Sequence, residues 1–587
     1  MATEKKLNAE INALKKKLEI ANNRIKTGKY GITWLDVPEA FEEESENQLP
    51  VLREVKEKAI KIDDDKPTHI LIEGDNYHSL TCLNYTHKNK IDLIYIDPPY
   101  NTGSDGFTYK DKRVLDKYPD GTEVPKDHPL RHSYWLSFMS KRLELAKDLL
   151  SDTGLIYISI DDNEFAQLKL LCDRVFGEQN FIGNVVWFKK RKGSFLSNTL
   201  VSLTEYILVY SKKSGVKLFG GETNNSESQP IVKRTNAVKE LTFPENFVQT
   251  KLKDGTYKAG KYGKGTTSTE LQEDIIVKDG IIKNSFTLKA PFTWSQSFLD
   301  DEIDNETEVL VNTINFQPRV IRTNNTSFKA MPSFIDGRDI KATNEDAYEL
   351  LKNIFDKDRP FSYSKPVNLI KKLIKSVSYF KDDFTVLDFF AGSGTTAQAV
   401  LELNKEENKN IKFILSTNNE DNNGDGKIID DVCYPRVSKV IKGYDNRKEE
   451  TIEGLGNSLK YYKTDFVGAN NILSATDEDK FSLAHKAGYL LSIAENTLEE
   501  IELSKCFQFF ENKKRATAIY FKEELTEMEA FLDKVEKIKK PITLYLFSWG
   551  NRSEFESLFD HLDHVTIKTI PQPILEIYKK IYNIVTI

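Results

Sequence analysis

A carboxylate, two prolines and an aromatic ring follow one another in Asp97-Pro98-Pro99-Tyr100, directly after the apolar segment 91–96. The apolar segment predicts a buried strand, and open α/β sheets bind ligands at the carboxyl ends of their strands. Asp97 supplies one hydrogen-bond acceptor and the Pro98 carbonyl a second, because Pro99 has no N–H that competes for it. Two acceptors at an exocyclic amine such as adenine N6 free its lone pair for a methyl cation. Tyr100 offers a face for stacking a flipped base, although an ordinary strand-to-turn junction is the alternative.

A second motif is the glycine turn of residues 388–397, Asp-Phe-Phe-Ala-Gly-Ser-Gly-Thr-Thr-Ala. Gly392 and Gly394 allow a tight strand-to-helix turn and a close approach of a ligand to the backbone. The spacing also fits the G-x-G-x-x-A pattern of dinucleotide sites, and the next strand ends near Glu420, where an acid can bind a ribose diol. NAD and S-adenosylmethionine both carry such a diol, so the turn alone leaves both open. The amine chemistry of Asp97 to Tyr100 favours the methyl donor.

Short apolar strands alternate with helices around both motifs, which predicts an α/β fold with a parallel-rich sheet covered by helices. We expect strands at 69–72, 91–96, 154–160, 184–188, 206–210, 385–390 and 411–416, and helices at 77–88, 135–150, 165–176, 365–376 and 395–403. Residues 1–28 carry apolar side chains at alternating spacings of four and three, from Leu7 to Ile25. That pattern predicts a helix that packs on its own chain or forms a dimer contact.

The change of pattern along the chain predicts five segments. Between the two motifs lies a polar, irregular stretch with short strands, which we interpret as an inserted domain. The segments are an N-terminal amphipathic helix (1–30), the first half of a catalytic domain (31–190), the insert (191–355), the second half (356–450) and a mixed α/β C-terminal domain (451–587).

The charge distribution is uneven. The whole chain has a net charge of -7, yet fifteen Lys and Arg residues face six Asp and Glu residues between 185 and 265. A solvated basic face is one interpretation, and a DNA-facing module on an acidic enzyme is the other. The candidate phosphate contacts are Lys189, Lys190, Arg191, Lys192, Lys233 and Arg234.

Several classes of protein are disfavoured. Cys82, Cys172, Cys433 and Cys506 lack metal-ligand spacing, which indicates reduced thiols and no metal site. No apolar run is long enough for a membrane span, so we expect a cytoplasmic protein. Residues 255–262 imitate a phosphate-binding loop, but Tyr262 stands where a Ser or Thr should hold magnesium. Residues 421–426 imitate a calcium loop, but Val432 replaces its bidentate Glu.

The two motifs together resemble those of amino-group DNA methyltransferases. The tetrapeptide precedes Phe390-x-Gly392-x-Gly394 with the insert between them, an order that is similar to the permuted β-type. Further segments resemble the modification (Mod) subunit of type III restriction–modification systems, over roughly 30–210 and 360–445: these are residues 73–77, 96–103, 131–139, 158–164 and 434–436.

The resemblance implies a Rossmann-like, circularly permuted S-adenosylmethionine-dependent methyltransferase sheet with an inserted target-recognition domain. It implies that Asp97, Pro98, Pro99 and Tyr100 hold the target adenine. For S-adenosylmethionine it implies Asp75 at the adenine amino group, Lys365 near the methionine carboxylate, Glu420 at the ribose, and a cradle made of Asp388, Phe390, Ala391, Gly392, Gly394, Thr395 and Thr396. The alternatives are ordinary helix capping for Asp75, an ordinary residue at a helix start for Lys365, and a solvated residue of an acidic loop for Glu420.

Together with the motifs, the resemblance implies a site-specific adenine-N6 methyltransferase acting on double-stranded DNA. The resemblance implies a homodimer and a helicase–endonuclease (Res) partner that this chain does not encode. A solitary adenine methyltransferase and a cytosine-N4 methyltransferase remain alternatives, because the same geometry serves any exocyclic amine.

Overall fold

A computed structural model of the chain describes residues 32–34, 48–62, 66–101, 130–193, 198–222, 228–265, 268–322, 328–356, 361, 363–421, 426–468, 477–521, 527–546, 557–571 and 574. They form two compact units, one from Met1–Leu218 with Pro332–Ile587 and one from Phe219–Met331. The predicted helix over 1–28 lies outside the described residues.

The first part of the larger unit alternates strands and helices. In chain order its elements are β1 (Gln48–Glu54), β2 (Thr68–Glu73), α1 (Asn76–Thr86), β3 (Ile91–Ile96), α2 (Leu130–Leu149), β4 (Leu150–Ile160), α3 (Phe165–Phe176), β5 (Phe181–Phe188) and β6 (Thr204–Ser211).

The smaller unit is built mainly from short strands. They are β7 (Phe219–Glu222), β8 (Gln229–Pro230), β9 (Lys239–Phe243), β10 (Gly255–Tyr257), β11 (Gly260–Tyr262), β12 (Thr269–Leu271), β13 (Ile275–Lys278), β14 (Ile281–Ile282), β15 (Phe286–Ala290), β16 (Glu308–Leu310), β17 (Arg319–Ile321) and β18 (Phe328–Ala330), with one helix, α4 (Gln296–Asp304), among the residues described there. The strands pair antiparallel in the orders β10-β13-β14, β11-β12-β15-β9, β16-β17-β8 and β18-β7. Their buried side chains form a core of this unit's own, which includes Phe243, Phe286 and Phe292.

The larger unit resumes with β19 (Phe334–Asp336), α5 (Asn344–Phe355), α6 (Val367–Ser378), β20 (Asp383–Asp388), α7 (Thr395–Glu407), β21 (Asn410–Thr417), a π-helical turn (Ile428–Cys433), α8 (Tyr434–Lys442), β22 (Gly443–Asp445), β23 (Thr451–Glu453) and β24 (Ser458–Gly468). It ends with α9 (Asp477–Glu495), β25 (Glu499–Leu503), β26 (Phe507–Glu511), β27 (Ala516–Tyr520), α10 (Met528–Lys537), β28 (Ile542–Leu546) and β29 (Val565–Lys568).

One large sheet dominates the larger unit, with the strand order β1-β24-β2-β21-β20-β3-β4-β6-β5-β19. The strands from β24 to β4 run parallel, and β1 and β6 pair antiparallel at either side of them. Every residue of β3 is buried, as expected for a parallel strand covered on both faces. The α/β prediction with a parallel-rich sheet is confirmed.

The order of the central strands brings the two halves of the chain together. Strands β20 and β21 follow the smaller unit in the sequence but lie between β2 and β3 in the sheet. Val386 of β20 pairs with Leu93 of β3 in parallel register. The loops that follow β20 and β3 therefore leave the same edge of the sheet, and both predicted motifs lie in these loops.

The unit boundaries differ from the segments proposed from sequence. The smaller unit covers 219–331 within the expected insert of 191–355, because β6 and β19 are strands of the large sheet. Beyond residue 450, β24 also joins the large sheet, while β25 to β29 form a second sheet with its own core. Contacts place both sheets in the same compact unit.

Two element ends also differ from expectation. The helix expected from Lys365 begins at Val367, because Pro366, its N-cap residue, is in extended backbone. The strand expected to reach Phe390 ends at Asp388, whose side chain accepts a hydrogen bond from the Phe390 N–H at 3.0 Å and turns the chain.

Candidate active site

The tetrapeptide begins where β3 ends, and both carboxylate oxygens of Asp97 have donors. The Tyr100 hydroxyl donates to Oδ1 at 2.7 Å, and the Lys365 Nζ donates to Oδ2 at 2.9 Å. The same Lys365 Nζ lies 2.9 Å from the Tyr100 hydroxyl oxygen and 5.0 Å from the centre of its ring. Lys365, predicted as a cofactor ligand, thus contacts the predicted catalytic carboxylate.

A second carboxylate, Glu205, completes this cluster. Its Oε2 lies 3.3 Å from the Lys365 Nζ and 3.2 Å from the Tyr100 hydroxyl, and its Oε1 accepts from the Lys189 Nζ at 2.9 Å. The side chains of Glu205, Lys189 and Lys365 are only 10–11% exposed. Asp97, Glu205, Lys189 and Lys365 therefore form a charge-balanced cluster, which we call the Asp97 cluster.

Burial and charge act against each other within the Asp97 cluster. Burial raises the pKa of Asp97 above its ordinary value, with Glu205 adding to the rise and Lys365 opposing it. Burial also opposes ionisation of Glu205, but Lys365 and Lys189 outweigh it and hold the pKa of that carboxyl below its ordinary value. Burial disfavours the charged Lys365, yet Asp97 and Glu205 raise its pKa above the usual value. The fold thus holds Lys365 as a cation between two carboxylates.

The backbone of the tetrapeptide is fixed from one side. The indole Nε1 of Trp135, on α2, donates to the Pro99 carbonyl at 2.7 Å. The adjacent Pro98 carbonyl receives no hydrogen bond from the residues that the structure describes, so it is available as the second acceptor that the sequence predicts.

The residue after the tetrapeptide is held by a buried carboxylate. The Asn101 side chain donates to Glu164 Oε1 at 2.6 Å, and the His132 Nδ1 lies 2.7 Å from the same oxygen. The Glu164 side chain is completely buried, and burial raises its pKa although Asn101 and His132 oppose the rise. These contacts fix the chain where it leaves the tetrapeptide.

The glycine turn follows β20 and begins α7. Asp388 accepts from the Thr396 hydroxyl at 2.6 Å as well as from the Phe390 N–H, and burial raises the pKa of Asp388 to about 7. Gly392 and Gly394 have φ angles of +48° and +78°, which side-chain-bearing residues rarely adopt. A Cβ on Gly392 would meet its nearest neighbour, the Phe361 ring, only at 3.6 Å. A Cβ on Gly394 would lie closer still to its neighbours, 3.2 Å from the Cys433 Sγ, so the backbone conformation at both positions and the packing at Gly394 favour glycine.

The fully buried Arg436 donates hydrogen bonds to side chains of this turn. Arg436 Nη1 donates to the Thr395 hydroxyl at 2.9 Å and to the Ser393 hydroxyl at 3.0 Å, and its Nε donates to Gln398 at 2.9 Å. The Ser364 hydroxyl, next to Lys365, lies 2.8 Å from the Ser393 hydroxyl. Burial lowers the pKa of Arg436 to about 10. A buried cation whose hydrogen-bond acceptors are neutral oxygens favours an anion nearby.

Asp75 lies at the start of α1, where it caps the helix by accepting from the Tyr77 N–H at 2.8 Å. The buried Arg142 also donates to Asp75 at 3.2 Å and to Asn76, and Asn76 donates to the Phe389 carbonyl at 3.1 Å. The alternative of helix capping is therefore realised, and the same contacts join α1 to the glycine turn.

Glu420 follows β21 at the same edge of the sheet and is exposed. Its carbonyl accepts from the Ile428 N–H at 3.0 Å, and the neighbouring Asn419 side chain donates to Glu73 at 3.3 Å and to Asp430 at 2.6 Å. A ribose ligand is expected just after the strand next to β20, and Glu420 follows that strand, β21.

The basic run of residues 189–192 divides into two environments. Lys189 is buried against Glu205, a correction to its expected place on a solvated phosphate-binding surface, because it follows β5 on the side that faces the Asp97 cluster. Lys190 is half-buried, whereas Arg191, which pairs with Asp346, and Lys192 are exposed. In the smaller unit Lys233 and Arg234 are exposed.

Within the described parts of the chain, no group of three or more His, Cys, Asp or Glu side chains has the arrangement of a metal site, and the four cysteines are buried free thiols. No helix among those residues is long and apolar enough to cross a membrane.

Glu205 was not identified from the sequence. It is a lone acid at the start of an otherwise apolar strand, and only the sheet order β3-β4-β6 brings it to Asp97. Trp135, Glu164 and Arg436 belong to segments that carry the family resemblance, but their contacts depend on the fold.

Residues 91–449 match the family model for DNA methylases. This match covers more than half of the 587 residues, and the chain belongs to the DNA methylase family. The matched span begins with β3 and contains the tetrapeptide, the glycine turn and Arg436.

Three relatives are similar to this chain, two Mod subunits and one type II methyltransferase. The chain is 31% identical over 468 residues to the type III restriction-modification enzyme StyLTI Mod subunit of Salmonella typhimurium strain LT2, which covers 74% of this chain and 66% of that protein. It is 32% identical over 387 residues to the EcoP15I Mod subunit of Escherichia coli, covering 59% of this chain and 58% of that protein. It is 30% identical over 408 residues to the type II methyltransferase M.KpnI of Klebsiella pneumoniae, covering 66% and 91%.

The resemblance to Mod subunits predicted from the motifs is confirmed by these relatives. The chain spans 66% and 58% of the lengths of the two Mod relatives.

Proposed function

We propose that this protein transfers a methyl group from S-adenosylmethionine to adenine N6 in double-stranded DNA. The observation that carries the proposal is the adjacency of β3 and β20, which places the acceptors Asp97 and Pro98 at the same sheet edge as the glycine turn. Membership of the DNA methylase family supports it.

The target base would be flipped out of the duplex and stacked on Tyr100. Its amino group would donate to the Asp97 carboxylate and to the Pro98 carbonyl, which draws the nitrogen towards tetrahedral geometry. The Trp135 bond to Pro99 and the Glu164 bond to Asn101 hold these acceptors in place before the base arrives, which lowers the cost of ordering them.

S-Adenosylmethionine would supply the electrophilic methyl group. The residues that would hold it are the backbone of Phe390, Ala391, Gly392 and Gly394, with Thr395, Thr396 and Asp388 fixing the turn. Asp75, which follows β2, and Glu420, which follows β21, lie at the same edge of the sheet as this turn and would be the adenine and ribose ligands. Lys365 would face its methionine carboxylate from the Asp97 cluster.

Adenine is proposed over cytosine N4 because the tetrapeptide begins with Asp and the match over 468 residues is to a Mod subunit. Methylated DNA from cells expressing the chain, digested to nucleosides and measured by mass spectrometry, distinguishes them. N6-methyladenine is expected, and N4-methylcytosine would overturn the adenine assignment.

We also propose that the protein is the modification and recognition subunit of a type III restriction–modification system, acting in the cytoplasm as a homodimer with a Res helicase–endonuclease. The exposed Arg191, Lys192, Lys233 and Arg234, with Lys190, would contact DNA phosphates, and the smaller unit would supply sequence recognition.

Two measurements test the system assignment. Methylation-aware sequencing of DNA from expressing cells should show one short sequence motif modified throughout. Affinity purification from the native host should recover an ATP-hydrolysing nuclease, and a fully active monomer with no such partner would indicate a solitary methyltransferase instead.

A further inference from the structure

We propose that Glu205 is a positioning residue for methyl transfer: it holds Lys365 and the Tyr100 hydroxyl so that Asp97 can accept the amino group of the target base. The inference rests on the proposed function, and it assigns a role to a residue outside both sequence motifs.

Glu205 contacts both of the donors that bond to Asp97 among the residues that the structure describes, Lys365 and Tyr100. Lys365 and Tyr100 each bond to an Asp97 oxygen, and each also lies within 3.3 Å of Glu205 Oε2. The other oxygen of Glu205 is anchored by Lys189 at 2.9 Å. Glu205 is therefore fixed on one side and shares both Asp97 donors on the other.

This sharing matters because the incoming amino group is a neutral donor. The bond from an ammonium to Asp97 joins two opposite charges, whereas the bond from the base amino group is charged only at the acceptor, so an ammonium bound only to Asp97 would outcompete the base. A buried lysine released into an apolar site without a carboxylate would be costly. With Glu205 beside it, Lys365 keeps an ionic partner while Asp97 turns an oxygen to the base.

Lys189 has a supporting part in the same arrangement. It contacts Glu205 and keeps that carboxylate ionised next to Asp97. The two carboxylates are therefore balanced by two lysines, and Lys365 does not have to neutralise both of them. This accounts for a lysine that is buried at the end of β5 although its neighbours in the basic run reach solvent.

The test compares the full-length protein with its Glu205→Gln variant, which keeps the size of the side chain and removes its charge. Single-turnover transfer from tritiated S-adenosylmethionine to unmethylated genomic DNA is measured from mildly acidic to mildly alkaline pH. The rate should fall about tenfold, equivalent to ~1.4 kcal/mol of transition-state stabilisation. Cofactor affinity measured by calorimetry should change by less than about threefold, which corresponds to well under ~1.4 kcal/mol.

The pH profile separates positioning from support of the fold. The titratable groups around Asp97 and Glu205 are Lys365, Lys189, Tyr95, Tyr100, Asp161 and Asp388. Loss of the Glu205 charge removes a repulsion that raises the Asp97 pKa, so the acid limb of the rate should move to lower pH. Glu205→Asp, which retains the charge, should recover part of the rate with the wild-type acid limb.

Glu406→Gln, which removes an exposed carboxylate from α7, is the matched control and should behave as wild type. Wild-type rate and acid limb in Glu205→Gln would overturn the inference. So would an equal loss at every pH, with cofactor binding also lost and no recovery in Glu205→Asp. A wild-type protein that transfers no methyl group to DNA would instead overturn the proposed function.

Discussion

The Nζ of Lys365 lies 2.9 Å from Oδ2 of Asp97, although 268 residues separate them in the chain. The contact joins Lys365, two residues before α6 in the second half of the chain, to the end of β3 in the first half. It also means that a target amino group must displace or join a donor that is already bound to Asp97. Lys365 thereby connects the side of the site expected to hold the cofactor with the side expected to hold the base.

Replacing Lys365 by Met should slow methyl transfer most strongly at low pH. Lys365 opposes the rise in the Asp97 pKa that burial causes, so its loss should raise that pKa further and move the acid limb of the rate to higher pH. At neutral pH the rate should fall at least about tenfold, because ~1.4 kcal/mol is a modest effect for an uncompensated buried charge. Single-turnover rates across pH measure both effects.

Lys371→Met is the control for that experiment, since Lys371 lies on α6 and pairs with Glu402 and Glu406 at the surface. It should leave the acid limb in place. An acid limb unchanged in Lys365→Met would mean that Lys365 does not govern the ionisation of Asp97.

Replacing Arg436 by Lys should weaken cofactor binding. The guanidinium holds the Ser393 and Thr395 hydroxyls of the glycine turn with Nη1 and the Gln398 side chain with Nε, a planar arrangement that a single ammonium cannot reproduce. Loss of one or two such bonds predicts an affinity about tenfold lower, at roughly 1 kcal/mol per bond. Calorimetric titration with S-adenosylmethionine checks this, with the exposed Arg338→Lys as control. Equal affinities in both variants and the wild type would refute it.

Replacing Asp388 by Asn should alter how stability depends on pH. Burial raises the Asp388 pKa from 3.8 to about 7, so between these values the folded protein keeps a proton that the unfolded chain has lost. That contribution to the unfolding free energy is fully present below the unfolded pKa and disappears as pH rises through about 7. The melting temperature of wild type relative to Asp388→Asn should therefore decline across this window. A constant difference would show that Asp388 does not titrate there.

The sequence was sufficient where a local pattern determines local structure. The apolar run before Asp97 and the glycines after Asp388 each specify a strand end and a turn, and the structure has both. Alternating strands and helices also predict a parallel sheet, and parallel strands bring their carboxyl ends to one edge. The adjacency of the two motifs follows from these features once β20 pairs with β3.

The contacts within the Asp97 cluster depend on strand order, which local patterns do not encode. Glu205 approaches Asp97 only because β6 is two strands away from β3 in the sheet. In the sequence, Lys189 and its neighbours form one run of charges with nothing to distinguish them. In the structure, Lys189 directly follows β5 and is buried, whereas Arg191 and Lys192 are exposed. The expected boundary at 191 placed β6 in the insert for the same reason: its pairing with β4 is a long-range contact.

The most direct test of the central claim is methyl transfer by Asp97→Ala, measured together with S-adenosylmethionine binding. Wild type should deposit N6-methyladenine in duplex DNA. The variant should transfer no detectable methyl group. Because the glycine turn is untouched, the variant should bind the cofactor with an affinity within about threefold of wild type, a difference of under ~1 kcal/mol. Full N6-methyladenine formation by Asp97→Ala would contradict the account.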